Sequence, residues 1–304
     1  MTVTTTRTAP APAPGPAPHR PGLGVAELVL AMVLSGTIGF FVVESEASPQ
    51  TVAFARCLVG AAVLGLWCLA RGHLRHTGLT RASLGLVVAG GVFLVANWVL
   101  LFAAYGHTSI GVATVSYHVQ PFLVVLLAPL LLREALAWRQ LGWVALGFGG
   151  LVLIAQPWAE PLSGGYGRGM LEAVGAAALY ALATLLVKKV SGVRPHVIAL
   201  VQLAVGAVLL LPLSDLSELA SLDAVPWLVT LGVVHTAVMY VLMYDSYPRL
   251  RTPTIAFLGF VYPVVAVAVD ALVYDELLST AQVGGAALIL GAAVGRTLVA
   301  SRVR

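Results

Sequence analysis

Three polar side chains interrupt an apolar run that reads SYHVQPFLVVLLAPLLLRE: Tyr117, His118 and Gln120, with Pro121 next. An imidazole inside a membrane needs hydrogen-bond partners or water, and a hydrated imidazole exchanges protons near neutral pH. Pro121 lacks a backbone donor and frees a carbonyl about one turn earlier, which favours a kink. The pattern predicts a polar substrate site at a kinked helix, with His118 also a candidate for proton coupling. A packed histidine bonded to a neighbouring helix is the alternative.

Arg56 lies about six residues into the apolar run 50–70, where a charge is costly and needs a reason. Its fork of donors suits a substrate carboxylate or phosphate. The alternative is a structural ion pair with Glu172 or Asp270, which the predicted topology places at a similar depth.

Two carboxylates, Glu27 and Glu172, lie inside apolar runs at related positions. They are candidates for proton coupling. Equally, they could cap the first turn of their helices, where carboxylates are favourable.

Five further residues combine an apolar body with a polar group inside predicted spans. A binding pocket needs apolar walls with a few polar groups, so we expect these residues to contribute to its lining. They are Asn97, Trp98, Tyr180, Tyr240 and Tyr262.

The composition places these residues in a membrane protein. The chain has 304 residues, of which 59% are hydrophobic and only 10% charged, with a mean hydropathy of +0.95. A soluble protein carries about 25% charged residues. The net charge of +4 comes from basic residues between apolar runs, so topology explains it and no nucleic-acid partner is expected. The predicted partners are the lipid bilayer and a small-molecule substrate.

Ten apolar runs are long enough to be membrane helices. With the N-terminus in the cytoplasm, 15 of the 17 Lys and Arg side chains fall on the inner side, which predicts ten helices with both termini cytoplasmic. The expected location is the plasma membrane. The runs are 24–43, 50–70, 82–105, 109–132, 138–156, 168–188, 196–213, 225–246, 252–274 and 280–299.

The chain repeats itself at a fixed offset, which aligns Pro121 with Pro263. At this offset, 11 of the 32 positions from 121 to 152 are identical to their counterparts in the second half. Five helices per repeat is an odd number, so the second half must enter from the opposite side. We therefore predict an all-α integral membrane protein with ten transmembrane helices arranged as two inverted five-helix repeats, at 23–157 and 168–300. Residues 1–22, rich in proline, are predicted to be a disordered cytoplasmic tail.

The matched residues of the two halves resemble the EamA-type transporters of the drug/metabolite transporter superfamily. This resemblance implies a central cavity lined by the first, third, fourth, sixth, eighth and ninth helices. It leaves the substrate undefined. The residues that carry it are Pro121, Glu134, Gln140, Gly142 and Gly149, with Pro263, Glu276, Gln282, Gly284 and Gly291.

The predicted function is therefore a secondary transporter, an exporter of a small metabolite such as an amino acid, with proton coupling as an option. A passive facilitator or channel on the same fold and a membrane-embedded enzyme are the alternatives. No nucleophile–base pair and no metal-ligand motif is present, so no enzyme, cofactor or metal site is expected. The small residues Ala145, Gly149, Ala287 and Gly291 predict close helix-packing seams, which would also suit a homodimer.

Overall fold

The computed structural model describes residues 21–132, 138–156 and 164–302, and these parts contain helices joined by turns and short loops. The predicted tail, up to residue 20, and Glu134 lie outside the described residues. The helices are α1 Pro21–Glu44, α2 Pro49–Ala70, α3 Arg81–Tyr105, α4 Ile110–Tyr117, α5 Gln120–Leu132, α6 Trp138–Ala155, α7 Gly165–Lys188, α8 Pro195–Leu210, α9 Leu216–Ala220, α10 Val225–Gly232, α11 Met239–Ser246, α12 Thr252–Leu258, α13 Val261–Val273 and α14 Thr280–Arg302.

Length and composition mark a multi-pass membrane protein. Within the described residues, seven helical stretches are long and apolar enough to cross a membrane, and three shorter apolar helices lie at Leu141–Ala155, Val261–Val273 and Thr280–Gly295. Leu130 and Leu272 are 78% and 83% exposed, as lipid-facing side chains would be. The seven stretches are Gly22–Glu44, Pro49–Ala70, Arg81–Tyr105, Ile110–Leu132, Gly165–Lys188, Pro195–Leu213 and Val225–Arg249.

Two of the predicted helices are broken, and the breaks occupy matching positions. One break separates α4 from α5 at His118 and Val119, and the other separates α12 from α13 at Gly259 and Phe260. The turn at the first break is tighter than an α-helix, since His118 N donates to the Val115 carbonyl at 3.0 Å. A proline follows each break within about one turn, so the kink predicted at Pro121 is present as a full interruption.

A third interruption lies between α10 and α11, where Val233–Val238 forms a π-helical segment. The sequence predicted one continuous helix here. A π-helical turn inserts one residue and displaces the carbonyls of its own turn, so side chains can bond to them. Thr236 Oγ1 donates to the Leu231 carbonyl, five residues back, at 2.8 Å.

The helices pack in matching pairs. Helix α2 packs on α8, α6 on α14, and α3 on α7, while α1 packs on α11 and on α13 and α5 packs on α7. Thus the first helix of each half contacts the second part of the broken helix in the other half.

The approach of α6 to α14 differs from the predicted seam. A Cβ placed on Gly150 would lie 2.6 Å from the Gly285 carbonyl oxygen, and one on Gly285 would lie 2.5 Å from that of Gly150. By contrast, Gly149 and Gly291 have open space beside them. The predicted pattern lies on the right helices, but α6 and α14 meet through the neighbouring glycines, because a pattern of small residues does not fix helix rotation.

Candidate functional site

A cavity of about 400 Å³ lies where the two broken helices face each other. This is the size of a pocket for one small molecule. Its walls come from α1, α3, α4, α5 and α11 and from both breaks, with single residues from α2, α7, α13 and α14 and from the turn after α11. Eight of the nine residues predicted to bind substrate line it: Arg56, Trp98, Tyr117, His118, Gln120, Tyr180, Tyr240 and Tyr262.

His118 directly follows α4 and lines the cavity. Its Nδ1 lies 3.2 Å from the Thr114 carbonyl. Because a carbonyl only accepts, Nδ1 carries the proton, and Nε2 of the neutral ring is then an acceptor. The ring packs against Tyr262, with centroids 4.5 Å apart, and against Phe260 at 6.0 Å. The turn before the break therefore supplies a backbone partner for Nδ1 and leaves Nε2 as the acceptor of the ring.

Arg56 is 2% exposed and joins α2 to the π-helical segment. Its Nε donates to Thr236 Oγ1 at 3.0 Å and its Nη2 to the His235 carbonyl at 3.1 Å. The guanidinium carbon lies 4.2 Å from the centroid of the Trp98 ring, a cation–π contact. A guanidinium has five N–H donors, and these two bonds use two of them. Three remain at the wall of the cavity.

The alternative ion pairs of Arg56 with Glu172 or Asp270 are wrong. Asp270 is buried on α13, and its carboxylate accepts from the backbone N–H groups of Ile110 and Gly111, the first two residues of α4. The carboxylate thus caps the helix that leads to the first break. Arg56 forms no ion pair with any described residue.

Asn97 lies behind the cavity wall rather than in it. Its Nδ2 donates to the Ala176 carbonyl at 2.8 Å, which ties α3 to α7. Its Oδ1 accepts from the Tyr117 hydroxyl at 3.5 Å. Asn97 therefore positions Tyr117, although the sequence predicted that it would contact substrate.

The two carboxylates Glu27 and Glu172 lie outside the cavity in ion pairs. Glu27 is bonded to Arg249. Glu172 is bonded to His107 and to Arg168, both at 2.9 Å. Neither carboxylate lies in the first turn of its helix, so the capping alternative is wrong. Their role in proton coupling stays a prediction.

The sequence did not point to several cavity residues. Tyr105 and Tyr247 both line the cavity and occupy equivalent positions of the internal repeat, so the repeat could have been used to predict them as a pair. Met32, Met239 and Met243 also line it, and no sequence signal separates a cavity methionine from a packed one. No aspartate or glutamate is among the described residues that line this cavity, so Arg56 is its single charged side chain.

Within the described ranges, no group of three or more His, Cys, Asp or Glu side chains is placed to hold a metal ion. His235, which the sequence placed at a depth similar to that of His118, is not among the residues that line the cavity. Its Nε2 lies 3.1 Å from Thr37 Oγ1 on α1.

The comparison with protein families decides the class. The EamA-like transporter family model matches residues 22–156 and again residues 167–297. The chain belongs to the EamA-like transporter family. Each match covers one of the two halves that the repeat defined.

Two relatives and a solved structure match most of the chain. An uncharacterized transporter, YxxF, of Bacillus subtilis (strain 168) is 33% identical over 249 residues, 81% of this chain and 80% of the relative. An uncharacterized transporter of Archaeoglobus fulgidus is 30% identical over 268 residues, 88% of this chain and 93% of the relative. A solved crystal structure with 21% identity and a TM-score of 0.63 covers 93% of this EamA-family chain and 99% of its own, and shares the fold.

Proposed function

We propose that this EamA-family protein is a secondary transporter that moves a small molecule by alternating access around the cavity at the two helix breaks. The observation that carries the proposal is that both breaks line one cavity. Helices interrupted at matching positions of two halves expose backbone and polar groups near the middle of the membrane. Such a site serves a substrate that must be bound and then released on the other side.

We further infer that the fold is ten transmembrane helices in two inverted five-helix repeats. The matched helix pairs and the shared position of the breaks support this arrangement. With the basic residues placed inside, both termini are cytoplasmic and the protein lies in the plasma membrane. A homodimer through the open glycine faces of α6 and α14 stays a prediction.

The chemistry of the cavity favours a substrate that carries a carboxylate and an apolar or aromatic part, as an amino acid does. Arg56 offers three N–H donors in a setting of low dielectric, where a carboxylate is bound strongly. Tyrosine, tryptophan and methionine side chains form most of the remaining wall and suit an apolar body. A cationic substrate would find no carboxylate among the described residues of this wall.

The direction of transport and its coupling are also part of the proposal. We propose export, driven by proton exchange at His118, which lines the cavity and whose Nε2 is the acceptor of the neutral ring. A passive facilitator on the same fold would move substrate only down its own gradient. Accumulation against a substrate gradient in proteoliposomes with an imposed pH gradient separates the two.

The first test is a thermal-shift screen of the purified protein against amino acids, organic acids, sugars and nucleosides. A ligand present at 100 times its Kd stabilises a protein by about 2.7 kcal/mol, which raises the melting temperature measurably. We expect hits among carboxylates and none among uncharged sugars. A hit confined to cationic amines lacking a carboxylate would contradict the proposed substrate class, and no counterflow of any hit in proteoliposomes would contradict transport.

A further inference from the structure

One end of the central cavity is bounded by the residues that follow α3. Tyr105, the last residue of α3, lines the central cavity and also a second cavity of about 450 Å³ that lies beyond it. Two residues later, His107 Nδ1 lies 2.9 Å from Glu172 Oε2 on α7. Tyr105 is thus shared by the walls of the two cavities, and the ion pair beside it ties the turn after α3 to α7.

The residues that follow α11 repeat this arrangement in the second half. Tyr247 lines the central cavity at the start of the 3-10 turn Tyr247–Arg249. Two residues later, Arg249 is bonded to Glu27 on α1. Again a tyrosine lies at the cavity wall, and an ion pair beside it ties the turn to the first helix of a half.

The two arrangements correspond through the repeat. The offset that aligns Pro121 with Pro263 also aligns Tyr105 with Tyr247 and His107 with Arg249. The helices that follow them, α4 and α12, begin at Ile110 and Thr252, which the same offset aligns. The two carboxylates, Glu27 and Glu172, are related at nearly the same offset.

We propose that these are two equivalent gates, one at each end of the cavity, and that they open alternately. Each gate consists of a tyrosine, at position 105 or 247, and an ion pair, His107–Glu172 or Arg249–Glu27. This inference rests on the proposed transport function and names the residues that control access to its cavity. We call them the His107 gate and the Arg249 gate.

The two gates differ in one chemical respect. Arginine stays charged at every physiological pH, whereas histidine changes charge between about pH 5 and 8. Arg168 also bonds to Glu172, but both lie on α7, so this bond does not hold α7 to the turn after α3. Of these two bonds to Glu172, only the one from His107 spans the gate. The bond across the Arg249 gate is therefore independent of pH in this range, and the bond across the His107 gate is the one that a change of pH can test.

The surroundings of His107 contain few other charges. Glu172 contacts it from α7 and is itself bonded to Arg168, and Glu276 shares the second cavity with it from the segment after α13. The phenols of Tyr105 and Tyr166 complete the titratable groups that line that cavity.

The test measures access to the cavity without any substrate. The free cysteines Cys57 and Cys68, both buried, are first replaced by alanine, and Ser35→Cys on the cavity wall serves as reporter. A membrane-impermeant methanethiosulfonate is added to right-side-out or to inverted membrane vesicles. Glu172→Gln should raise the labelling rate from one side about fivefold, the factor for loss of about 1 kcal/mol, and Glu27→Gln from the opposite side. Whichever way the chain is oriented, the two variants must respond on opposite sides.

The second measurement uses the substitutions His107→Arg and Arg249→His, which keep a basic side chain at each gate. With reagent added from the His107 side, the reporter cysteine should be labelled more slowly at pH 6 than at pH 8. The same reporter protein with Glu172→Gln is the reference, because it corrects for the pH dependence of the reporter thiol itself. His107→Arg should abolish that difference, and Arg249→His should create one from the other side. Equal effects of Glu172→Gln and Glu27→Gln on both sides, or a pH difference that survives His107→Arg, would overturn the gates.

These outcomes are independent of the substrate. Labelling reports only the opening of the cavity, so a protein that binds no compound in the thermal-shift screen still yields a result for the gates. Conversely, the two variants could label equally from both sides in a protein that still transports. That result would contradict the gates but not the transport function.

Discussion

The His118 ring lies 4.5 Å from the Tyr262 ring, centroid to centroid, and the two residues belong to different broken helices. His118 directly follows α4, and Tyr262 follows the break between α12 and α13. Both breaks thus meet at one contact, which places the backbone interruptions of the two halves beside a single ionisable imidazole. At the position equivalent to His118 the second half has Phe260. The two halves therefore share the helix break, but only the first half has an ionisable side chain there.

Replacing His118 with phenylalanine should preserve the fold and weaken substrate binding. Phe260 shows that an aromatic ring is accommodated at the equivalent position, while the cavity loses its Nε2. A single hydrogen bond contributes about 0.5–1.5 kcal/mol, so we expect the Kd from ligand titration to rise about twofold to thirteenfold. His118→Gln, which retains a polar terminus, is the control. An unchanged Kd in a folded His118→Phe variant would return this residue to a packing role.

Replacing Arg56 with lysine should separate its two roles. Lysine keeps the charge but lacks the forked donors that would bond Thr236 and a substrate carboxylate at the same time. We expect the melting temperature to fall, and the affinity for a carboxylate ligand to fall about tenfold, the factor for about 1.4 kcal/mol. The comparison ligand is the same compound with its carboxylate converted to a neutral amide. If both ligands lose affinity equally, Arg56 is structural and does not hold the carboxylate.

The glycine seam offers a matched pair of variants on one helix. Gly150→Ala places a methyl group against the Gly285 carbonyl, which should destabilise the protein by about 1–3 kcal/mol. Gly149→Ala enters open space and removes a flexible residue from a helix, so it should be neutral or stabilising by about 0.5–1 kcal/mol. Thermal unfolding in detergent compares them. Equal melting temperatures would mean that α6 and α14 do not approach through Gly150.

Asp270 should be needed for stability because its carboxylate accepts from two backbone N–H groups at the start of α4. Asp270→Asn removes the charge and one acceptor oxygen, so we expect a loss of about 1–3 kcal/mol in thermal unfolding. Asp275→Asn is the control, since Asp275 is exposed and its positive φ of 54° is compatible with asparagine. A melting temperature for Asp270→Asn equal to that of the control would show that α4 needs no such anchor.

The placement of the cavity residues could largely be predicted from the chain. Uninterrupted apolar runs predict helices because the bilayer offers no other partner for backbone groups. Pro121 and Pro263 each follow a break, whereas Pro129 lies within α5 without one, so a proline alone does not predict an interruption. His118, Gln120 and Arg56 stood out because polar groups are costly inside such runs. The internal repeat aligns Tyr105 with Tyr247 and could have identified both as cavity residues, whereas composition could not.

The partners of these residues were decided only by the tertiary structure. Arg56 contacts the π-helical segment because α2 packs there, and a shift in helix periodicity leaves no signature in the apolar pattern. Gly150 rather than Gly149 forms the seam because helix rotation depends on all neighbouring side chains at once. The local sequence thus determined which groups must be buried in the membrane, and long-range packing determined which of them meet, since contacts between helices depend on residues far apart in the chain.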